Sequence, residues 1–358
     1  MISKKVFHII THFDLGGAEK VAVNIAKSPH SAFEYHLVEV ARGRGQFSDE
    51  FIRNLEDCGI KYHRSLVSNK KLGIVLFPFW FIFLFLRYRP AIIHSHTEVP
   101  DLSIYLFQKL FGWLFKRVKF VRTIHNTVLW DQWERIGNYV ERFYIRHHSN
   151  IAISFSVRDS YYVKYGEMPP VIYNGLQEVE QKPFIGVDHT KTNIMFAGRL
   201  EYQKGVDELV DIIRKSQDHK EIVFWIVGSG SLYGKIKEII ERTENVRYYE
   251  KIYNLSSFIG SFDYLLMPSN FEGLGLMSIE ASLAKVPTII NLCSGLNETL
   301  PADWPLKVQN NSVEQYLVIL GQLDIFDRKT LGMKAYKYVK ETFSIEKMQR
   351  NYEKFYQK

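Results

Sequence analysis

Short apolar runs alternate with segments of helical periodicity along almost the whole chain. In the first half, the predicted strands are Val6–Ile10, Tyr35–Val40, Ala91–Ser95, Lys119–Ile124 and Ile151–Ser154, and the predicted helices are Ala18–Ala26, Phe79–Tyr88 and Asp101–Phe111. In the second half, the predicted strands are Asn193–Ala197, Ile222–Val227, Val246–Tyr249, Tyr264–Met267 and Thr288–Ile290, and the predicted helices are Val206–Lys215, Leu232–Arg242, Leu276–Ala284, Val313–Leu323 and Ile345–Tyr356. Such alternation is typical of βαβ units with parallel strands. We therefore predict an α/β fold with two Rossmann-like domains that face a cleft.

A polar stretch between the two sets of elements predicts the domain boundary. Leu176–Lys191 contains Pro183 and few apolar residues, so we interpret it as a linker. We predict an N-terminal domain over residues 1–175, a C-terminal domain over residues 176–343 and a last helical segment over residues 344–358. The full length of 358 residues is enough for two domains of ordinary size.

The positive charge is concentrated in the first half. Residues 1–175 hold 23 Lys and Arg against 15 Asp and Glu, which gives +8, so the remaining half must carry −1 to reach the net charge of +7. Residues 61–122 contain 11 basic side chains and only two acidic ones, Glu98 and Asp101. Such a basic surface attracts nucleic acid, anionic lipid or phosphorylated substrates.

The two cysteines, Cys58 and Cys293, lie in different halves, and there is no CxxC motif or Cys/His cluster in the sequence. We therefore expect neither a disulfide framework nor a structural zinc site, which fits a reducing compartment. The first predicted strand begins almost at the first residue, so we expect no signal peptide and a cytoplasmic protein.

The fifteen uncharged residues Leu72–Leu86 form the most apolar segment of the chain. A membrane-spanning helix needs about 20 apolar residues, so we judge this run too short to span, and we expect Pro78 near a helix start. A second segment, Tyr105–Arg117, mixes aromatic residues with cations. Burial against a parallel sheet explains the first segment as well as docking on an anionic membrane surface does. The clustered cations favour membrane docking for the pair, over residues 70–122.

Glycine-containing loops follow the predicted strands of the second half. Gly198-Arg199-Leu200, with Lys204 four residues further on, comes after one strand, and Gly228-Ser229-Gly230 comes after the next. The segment Phe271–Glu280 carries Glu272 in a glycine-rich turn and Glu280 just over one turn into a predicted helix. Arg and Lys bind phosphate, and helix N-termini bind anions, whereas carboxylates accept hydrogen bonds from sugar hydroxyls. Together these loops suggest a nucleotide-sugar site.

The first half offers weaker candidates. Gly16 and Gly17 follow the first strand and open the first helix, where glycine lets backbone approach a ligand, although most such glycines are plain turns. His125 follows the strand Lys119–Ile124, while His94 and His96 flank Ser95 at another strand end. A histidine at a strand end is more often structural than catalytic, and its expected place beside a cleft raises His125 above the other two.

These motifs, in this order, resemble the retaining glycosyltransferases of family four, which have the glycosyltransferase-B fold. The resemblance runs from Gly16-Gly17-Ala18-Glu19 through Thr123-Ile124-His125-Asn126, Ile172-Tyr173-Asn174-Gly175, Gly198-Arg199-Leu200 and Val227-Gly228-Ser229-Gly230 to Pro268–Leu276 and Glu280-Ala281. Departures include Ala284-Lys285-Val286-Pro287, where the family often has a Gly-Val-Pro turn, and Glu250, where a glycine is common. The second departure leaves the choice of nucleotide, UDP or GDP, open.

The resemblance implies a role for each site residue. It implies catalytic roles for His125, Arg199, Lys204 and Glu272, and donor binding by Gly16, Gly17, Gly198, Gly228, Ser229, Gly273, Leu274, Gly275, Leu276 and Glu280. Arg199 and Lys204 are expected at the donor diphosphate, Glu272 and His125 at the donor sugar, and Glu280 at the ribose. It also implies an acceptor-binding first domain, a donor-binding second domain and a last helix that crosses back to the first domain.

The resemblance further implies front-face transfer of a sugar with retention, in which the leaving diphosphate takes the acceptor proton. The sequence contains no DxD triplet, so we expect no metal and no cofactor, with the nucleotide sugar as a co-substrate. A basic, aromatic first domain suits a lipid-linked acceptor in capsule or O-antigen assembly on the inner face of the plasma membrane, although a soluble acceptor is also compatible with it. An epimerase of the same fold, or a non-catalytic scaffold that binds sugar nucleotides at the membrane, would use the same loops. A dehydrogenase lacks its GxGxxG fingerprint, and no motif supports nucleic-acid binding.

Overall fold

The chain forms two compact units in a computed structural model that describes residues 3–14, 16–29, 31–114, 117–131 and 133–357. The first unit comprises residues 1–175 and 345–358, and the second comprises residues 176–344. The stretch interpreted as a linker lies in the second unit, where Leu176 forms an isolated parallel bridge with Ser344. Phe115 and Lys116, which belong to the basic aromatic segment, lie outside the described residues.

The first unit is built on a six-stranded sheet with the order β3-β2-β1-β4-β5-β6, in which every pair is parallel. Its strands are β1 Lys4–Ile10, β2 Phe33–Glu39, β3 Lys61–His63, β4 Ile92–His96, β5 Lys119–Ile124 and β6 Asn150–Ala152. Its helices are α1 Gly17–Ala26, α2 Gln46–Asp57, α3 Lys70–Tyr88, α4 Glu98–Phe111, α5 Glu134–Arg146, α6 Phe155–Tyr165 and α12 Ile345–Gln357. β1 and β4 are buried along most of their length, as expected for parallel strands with both faces covered.

The C-terminal helix α12 is part of the core of the first unit. Its apolar face places Met348, Tyr352 and Tyr356 in the same buried cluster as Val6 and Ile92 of the sheet. The helix also packs against α1, and the Gln349 side chain donates to the carbonyl oxygen of Asn24 at 2.7 Å. The last residues of the chain therefore complete a core that the first 175 residues begin.

The second unit repeats the plan with the order β12-β11-β10-β7-β8-β9, again wholly parallel. Its strands are β7 Thr192–Ala197, β8 Ile222–Val227, β9 Val246–Tyr249, β10 Tyr264–Met267, β11 Thr288–Asn291 and β12 Lys307–Val308. Its helices are α7 Val206–Lys215, α8 Tyr233–Arg242, α9 Leu276–Leu283, α10 Val313–Leu320 and α11 Arg328–Thr342. The predicted α/β fold with two Rossmann-like parallel sheets is confirmed.

The sequence analysis missed four helices and two short strands. They are α2, α5, α6, α11, β3 and β12. In α2, for example, polar residues surround a narrow apolar stripe that includes Phe51 and Leu55, so no apolar run marks the helix. The strand predicted over Ile151–Ser154 ends at Ala152 because Ser154 instead caps α6, accepting the Val157 N–H at 3.0 Å.

Helix α3 is longer than predicted. It begins at Lys70, where the Asn69 side chain caps it by accepting the Leu72 N–H at 3.1 Å, so Pro78 lies in its interior and not near its start. With 19 residues it is the one helix in the described ranges that is long and apolar enough to cross a membrane, judged by length and composition alone. Core helices of soluble proteins can satisfy the same criteria, but only 33% of its most apolar window is buried.

Candidate functional site

Three adjacent strand ends define the candidate site of the second unit. β7 lies in the middle of the sheet between β10 and β8, and the chain adds strands first on one side of β7 and then on the other. At such a switch point the loops diverge from the carboxyl edge and leave a crevice in which doubly wound sheets bind ligands. The predicted loops after β7, β8 and β10 leave this edge from three adjacent strands.

Lys204 and Glu272 are brought together from loops 68 residues apart in the sequence. The Lys204 Nζ lies 2.6 Å from Glu272 Oε1, and their side chains are 18% and 5% exposed. The Ser269 hydroxyl donates to the same carboxylate oxygen at 2.8 Å. A lysine held this way is oriented at the strand edge, because a charge-assisted hydrogen bond fixes the end of a flexible side chain.

Arg199 is an exposed side chain whose guanidinium is held by one neighbouring residue. It is exposed, and its guanidinium donates to Gln203 Oε1 at 2.7 Å. Gln203 in turn donates from Nε2 to the Phe271 carbonyl at 3.2 Å, while its own carbonyl accepts the Asn270 N–H at 2.9 Å. Gln203 therefore ties the arginine loop to the Glu272 loop, a role that no sequence signal indicated.

Two glycines allow the loops to approach each other this closely. A Cβ on Gly205, whose φ is +68°, would lie 1.7 Å from the Pro268 carbonyl oxygen. A Cβ on Gly228 would lie 1.9 Å from the carbonyl oxygen of Gly198, and the Leu200 N–H donates to the carbonyl of exposed Ser229 at 2.8 Å. At both positions any larger residue would clash with backbone, so glycine is a steric requirement of the loop packing.

The backbone amides of the turn before α9 differ in whether they already donate a hydrogen bond within the protein. The Leu276 N–H already donates to the Leu274 carbonyl at 2.8 Å, and the Gly275 N–H donates to the Gly295 carbonyl at 3.4 Å. Within the described part of the chain, the buried Leu274 N–H has no protein acceptor. Of these three predicted phosphate-binding amides, Leu274 is thus the one that is free in this structure. Gly273, also predicted at the donor, is buried in the same turn.

Glu280 has a different environment from Glu272. It lies in α9, is partly buried and accepts a hydrogen bond from the Ser256 hydroxyl at 2.6 Å. Ser256 belongs to a short 3₁₀ turn, Leu255–Ser257, that follows β9. The hydroxyl groups that donate to the two carboxylates are thus different, Ser269 for Glu272 and Ser256 for Glu280.

In the first unit, a neighbouring carboxylate occupies the space that a side chain at position 16 would need. A Cβ on Gly16 would lie 2.1 Å from Glu19 Oε2, so the missing side chain makes room for Glu19, which is buried in the first turn of α1. Burial raises the pKa of Glu19 to about 7. Gly17 begins α1. The described contacts give Gly16 a structural reason that the sequence analysis had not weighed.

His125 follows β5 and belongs to a group of four histidines. Its Nε2 lies 3.1 Å from His96 Nδ1, and His96 Nε2 lies 2.9 Å from His8 Nδ1. His94 instead contacts the Tyr356 hydroxyl and Thr123 Oγ1, each at 2.7 Å. Burial, followed by the positive charge of Arg122, lowers the pKa of His125 to about 3, although the residue as a whole is only partly buried. His8 was missed in the sequence because only the pairing of β1 with β4 places it beside His94.

Two family models match consecutive parts of the chain. Residues 177–344 match the family of glycosyl transferases group 1, and residues 15–178 match glycosyltransferase family 4. The two matches together span residues 15–344, so the chain belongs to the glycosyltransferases, and family 4 is the family that its first half matches. Among curated relatives, CapH of Staphylococcus aureus, a capsular polysaccharide biosynthesis glycosyltransferase, is 27% identical over 295 residues, covering 77% of this chain and 78% of CapH.

Another relative is an uncharacterized protein in the cps region of Klebsiella pneumoniae, which is 37% identical over 118 residues. That match covers 32% of this chain and only 31% of the Klebsiella protein. Among solved structures, Anabaena HepE in complex with UDP-glucose superposes with a TM-score of 0.81 at 17% identity, covering 98% of both chains. This structural likeness establishes the glycosyltransferase-B fold of the chain.

Proposed function

We propose that the protein transfers a sugar from a nucleoside-diphosphate sugar to an acceptor hydroxyl, with retention of anomeric configuration. The observation that carries the proposal is the contact between Lys204 Nζ and Glu272 Oε1, 2.6 Å long, at the switch point of the second unit. A cation for the diphosphate and a carboxylate for the sugar hydroxyls are there held in one cluster. Family membership and the UDP-glucose complex of the structural neighbour HepE support the donor class.

In the proposed reaction, the bond between the anomeric carbon and the diphosphate breaks as the acceptor oxygen forms its bond to the same carbon. The acceptor proton passes to a diphosphate oxygen, so the leaving group acts as the base. Arg199 and Lys204 stabilise the negative charge that develops on the diphosphate, and the Leu274 amide adds a hydrogen bond. Catalysis then rests on orientation and electrostatic stabilisation, with neither a metal nor a cofactor assigned a role.

The donor is tested most directly by ligand-induced stabilisation. Because a ligand that binds only the folded state raises its apparent stability, a panel of UDP- and GDP-sugars should contain one that raises the melting temperature. Incubation of the protein with that nucleotide sugar and a membrane extract as the source of acceptor should then release the nucleoside diphosphate. Conversion of the nucleotide sugar into its epimer without any acceptor would favour an epimerase, and binding with neither release nor conversion would favour the non-catalytic scaffold.

We further propose that the acceptor is lipid-linked and that the protein docks on an anionic membrane surface through the first unit. One face of α3 packs into the protein through residues such as Phe77 and Phe81, so the burial interpretation explains that face. The other face carries an exposed apolar stripe at near-heptad spacing. The stripe consists of Leu72, Val75, Phe79, Phe83 and Leu86, with exposures of 47%, 58%, 52%, 72% and 56%.

Neighbouring groups extend this stripe and give it a charge. Phe79 makes an edge contact with Phe111 of α4, with ring centroids 6.2 Å apart, and exposed Leu110, Trp113 and Leu114 continue the apolar surface. Cations of the same two segments are Lys70, Lys71, Arg87, Lys109 and Arg117. The two acids of residues 61–122 do not offset them equally, since Asp101 is buried and paired with Arg122. An apolar face bordered by cations is complementary to an anionic bilayer.

Liposome flotation tests the docking face. Full-length protein should float with vesicles that contain phosphatidylglycerol and much less with neutral phosphatidylcholine vesicles. Phe79→Ser with Phe83→Ser should abolish flotation, and Lys70→Gln with Lys71→Gln should weaken it at low salt. The control is Val163→Ser on α6, which removes an apolar side chain that is 85% exposed in the same unit. Equal flotation of all variants would contradict the membrane proposal and leave a soluble acceptor.

Capsule or O-antigen assembly at the inner face of the plasma membrane is the context that we propose for this reaction. Its support is the relationship to CapH, whose name assigns it to capsular polysaccharide biosynthesis. A lipid carrier would keep the growing saccharide at the membrane, where the exposed stripe of α3 would hold the enzyme. Transfer to an extracted lipid fraction, but not to water-soluble saccharides, is the expected result.

A further inference from the structure

Three neighbouring strands of the first unit place histidines on one face of the sheet. His8 of β1 is in register with His94 of β4, and His96, two residues further along β4, is in register with Thr123 of β5. Because side chains alternate along a strand, His8, His94, His96 and the residue at position 125 share this face. His8, His94 and His96 are fully buried.

His125, His96 and His8 form a continuous chain of hydrogen bonds. The first contact joins His125 Nε2 to His96 Nδ1 at 3.1 Å, and the second joins His96 Nε2 to His8 Nδ1 at 2.9 Å. At the inner end, His8 Nε2 is buried and has no hydrogen-bond partner among the described residues. At the outer end, Nε2 of His125 is used in the contact with His96, so Nδ1 is the nitrogen that a ligand can contact.

A metal site is the competing interpretation of this cluster. The ring nitrogens of His8, His94 and His96 lie within 4.8 Å of one another, close enough to ligate one ion. Both nitrogens of His94, however, are occupied by Tyr356 and Thr123, and both nitrogens of His96 are occupied by other histidines. An ion would have to replace these hydrogen bonds in a fully buried place, so the geometry favours a hydrogen-bond chain.

The rings of the three hydrogen-bonded histidines, His8, His96 and His125, are neutral at physiological pH. Burial lowers the pKa of His8 to about 3 and the pKa of His96 well below its usual value. Each neutral ring carries one proton, and a hydrogen bond between two rings needs a donor nitrogen on one and a lone pair on the other. Only two arrangements satisfy both contacts: all three protons lie on Nδ1, or all three lie on Nε2.

The unpartnered nitrogen of His8 decides between the two arrangements. With every proton on Nε2, His8 would bury an N–H group that has no acceptor, and orphaned buried N–H groups are rare in native proteins. With every proton on Nδ1, the buried Nε2 of His8 carries only a lone pair. The second arrangement is therefore favoured, and it leaves a proton on the outer nitrogen, Nδ1, of His125.

We propose that His8 and His96 are positioning residues that lock His125 as a hydrogen-bond donor at Nδ1. The ligand group that meets His125 is then an acceptor oxygen, and a group that can only donate is rejected. If the proposed function holds, this acceptor is an oxygen of the donor sugar, so the inference rests on that function for its ligand. The tautomer itself does not rest on it.

The tautomer is measured in full-length protein labelled with ¹⁵N-histidine, by two-bond ¹⁵N–¹H correlation spectra at pH 7.5. His8, His96 and His125 should each carry the proton on Nδ1. A proton on Nε2 of His125 would overturn the proposal, and so would one equivalent of zinc that co-purifies with the protein and is lost in His8→Leu. This measurement uses the wild-type chain, so it does not depend on whether a variant folds.

Variants then test the relay, by which we mean the hydrogen-bond chain from His8 through His96 that fixes the tautomer of His125. His96→Leu should release His125 from the single tautomer and raise the KM for the nucleotide sugar about tenfold, as expected for one lost hydrogen bond. His96→Gln should restore both, because its amide N–H can donate to His125 Nε2. The matched control is His63→Leu, which breaks a similar contact of 2.9 Å with His36, whose strand neighbour is Phe7 and not His8.

The outcomes separate the relay from the proposed function. If the three protons lie on Nδ1 and no nucleotide sugar stabilises the protein, the relay stands and the proposed function fails. If nucleotide sugars bind and His96→Leu leaves the His125 tautomer unchanged, the proposed function stands and the relay fails.

Discussion

At the scale of single residues, the candidate site depends on how each charged group is held. Lys204 is fixed by Glu272 and Ser269, whereas Arg199 is exposed and reaches the rest of the site through Gln203. A fixed lysine suits the orientation of a bound diphosphate, and an exposed arginine suits charge that appears only during reaction. The two cations are therefore expected to contribute at different stages.

Arg199→Ala should lower turnover by about two to three orders of magnitude if the guanidinium stabilises the leaving diphosphate. The melting temperature should hardly change, because the side chain is exposed. Steady-state rates of nucleoside diphosphate release give the comparison. The control is Arg214→Ala on α7, which removes an exposed arginine of the same unit that pairs with Asp211 at 3.1 Å. Near-normal turnover of Arg199→Ala would refute the assignment.

At the scale of elements, α12 shows how a C-terminal helix can stabilise a unit whose other elements lie far from it in the sequence. Tyr352 is fully buried in the core of the first unit, and its hydroxyl lies 2.9 Å from Thr123 Oγ1 on β5. Thr123 also contacts His94, so the helix packs directly against the face that carries the histidine chain. The ordering of that face thus depends on the last turns of the protein.

Tyr352→Ala should destabilise the first unit by about 3–5 kcal/mol, since it removes a large buried aromatic side chain. Hydrogen exchange should show the loss of protection in β1, β4 and β5, with much less change in β7 and β8. Lys354→Ala on the exposed face of the same helix is the control, and we expect a change of about 0.5 kcal/mol or less. Equal protection in both variants would show that α12 is dispensable for the first unit.

At the scale of the whole molecule, buried histidines make stability depend on pH. A histidine with a lowered pKa binds its proton in the unfolded chain first, so its contribution is complete above about pH 6.5 and is lost as the pH falls toward the folded pKa. Among the described residues, seven histidines have a pKa that burial lowers in this way: His8 and His125 to about 3, His63 to about 4, and His12, His36, His94 and His96 below the ordinary value.

Two buried carboxyl groups act in the opposite direction. Burial raises the pKa of Glu19 and of Asp101 to about 7, so the folded state keeps their protons and gains stability as the pH falls from 7 toward 4. Burial also raises the pKa of half-buried Glu167. Because seven histidines oppose these three carboxyls, the melting temperature should fall between pH 7.5 and pH 5.5. The double variant His36→Phe with His63→Phe should show a smaller fall, measured by circular dichroism. A melting temperature that is independent of pH in the wild type would contradict the expectation.

The sequence alone determined the fold class and where most strands lie along the chain, and it predicted the loops of the candidate nucleotide-sugar site. It could do so because apolar runs, glycine turns and helix starts are local features of the sequence. The amphipathic helices were harder, since their apolar positions are spread among charged residues. At Lys285, where the family often has a glycine, the chain keeps a positive φ of 61° without one, which no local pattern indicated.

Only the tertiary structure decided which distant groups meet. The contact of Lys204 with Glu272, the link from Arg199 through Gln203 and the histidine chain all depend on strand order and register, which join residues far apart in the sequence. The same holds for α3, because packing against the rest of the unit covers one of its faces and leaves the other exposed. Composition fixed how apolar that helix is, and packing fixed which of its side chains remain available to a membrane.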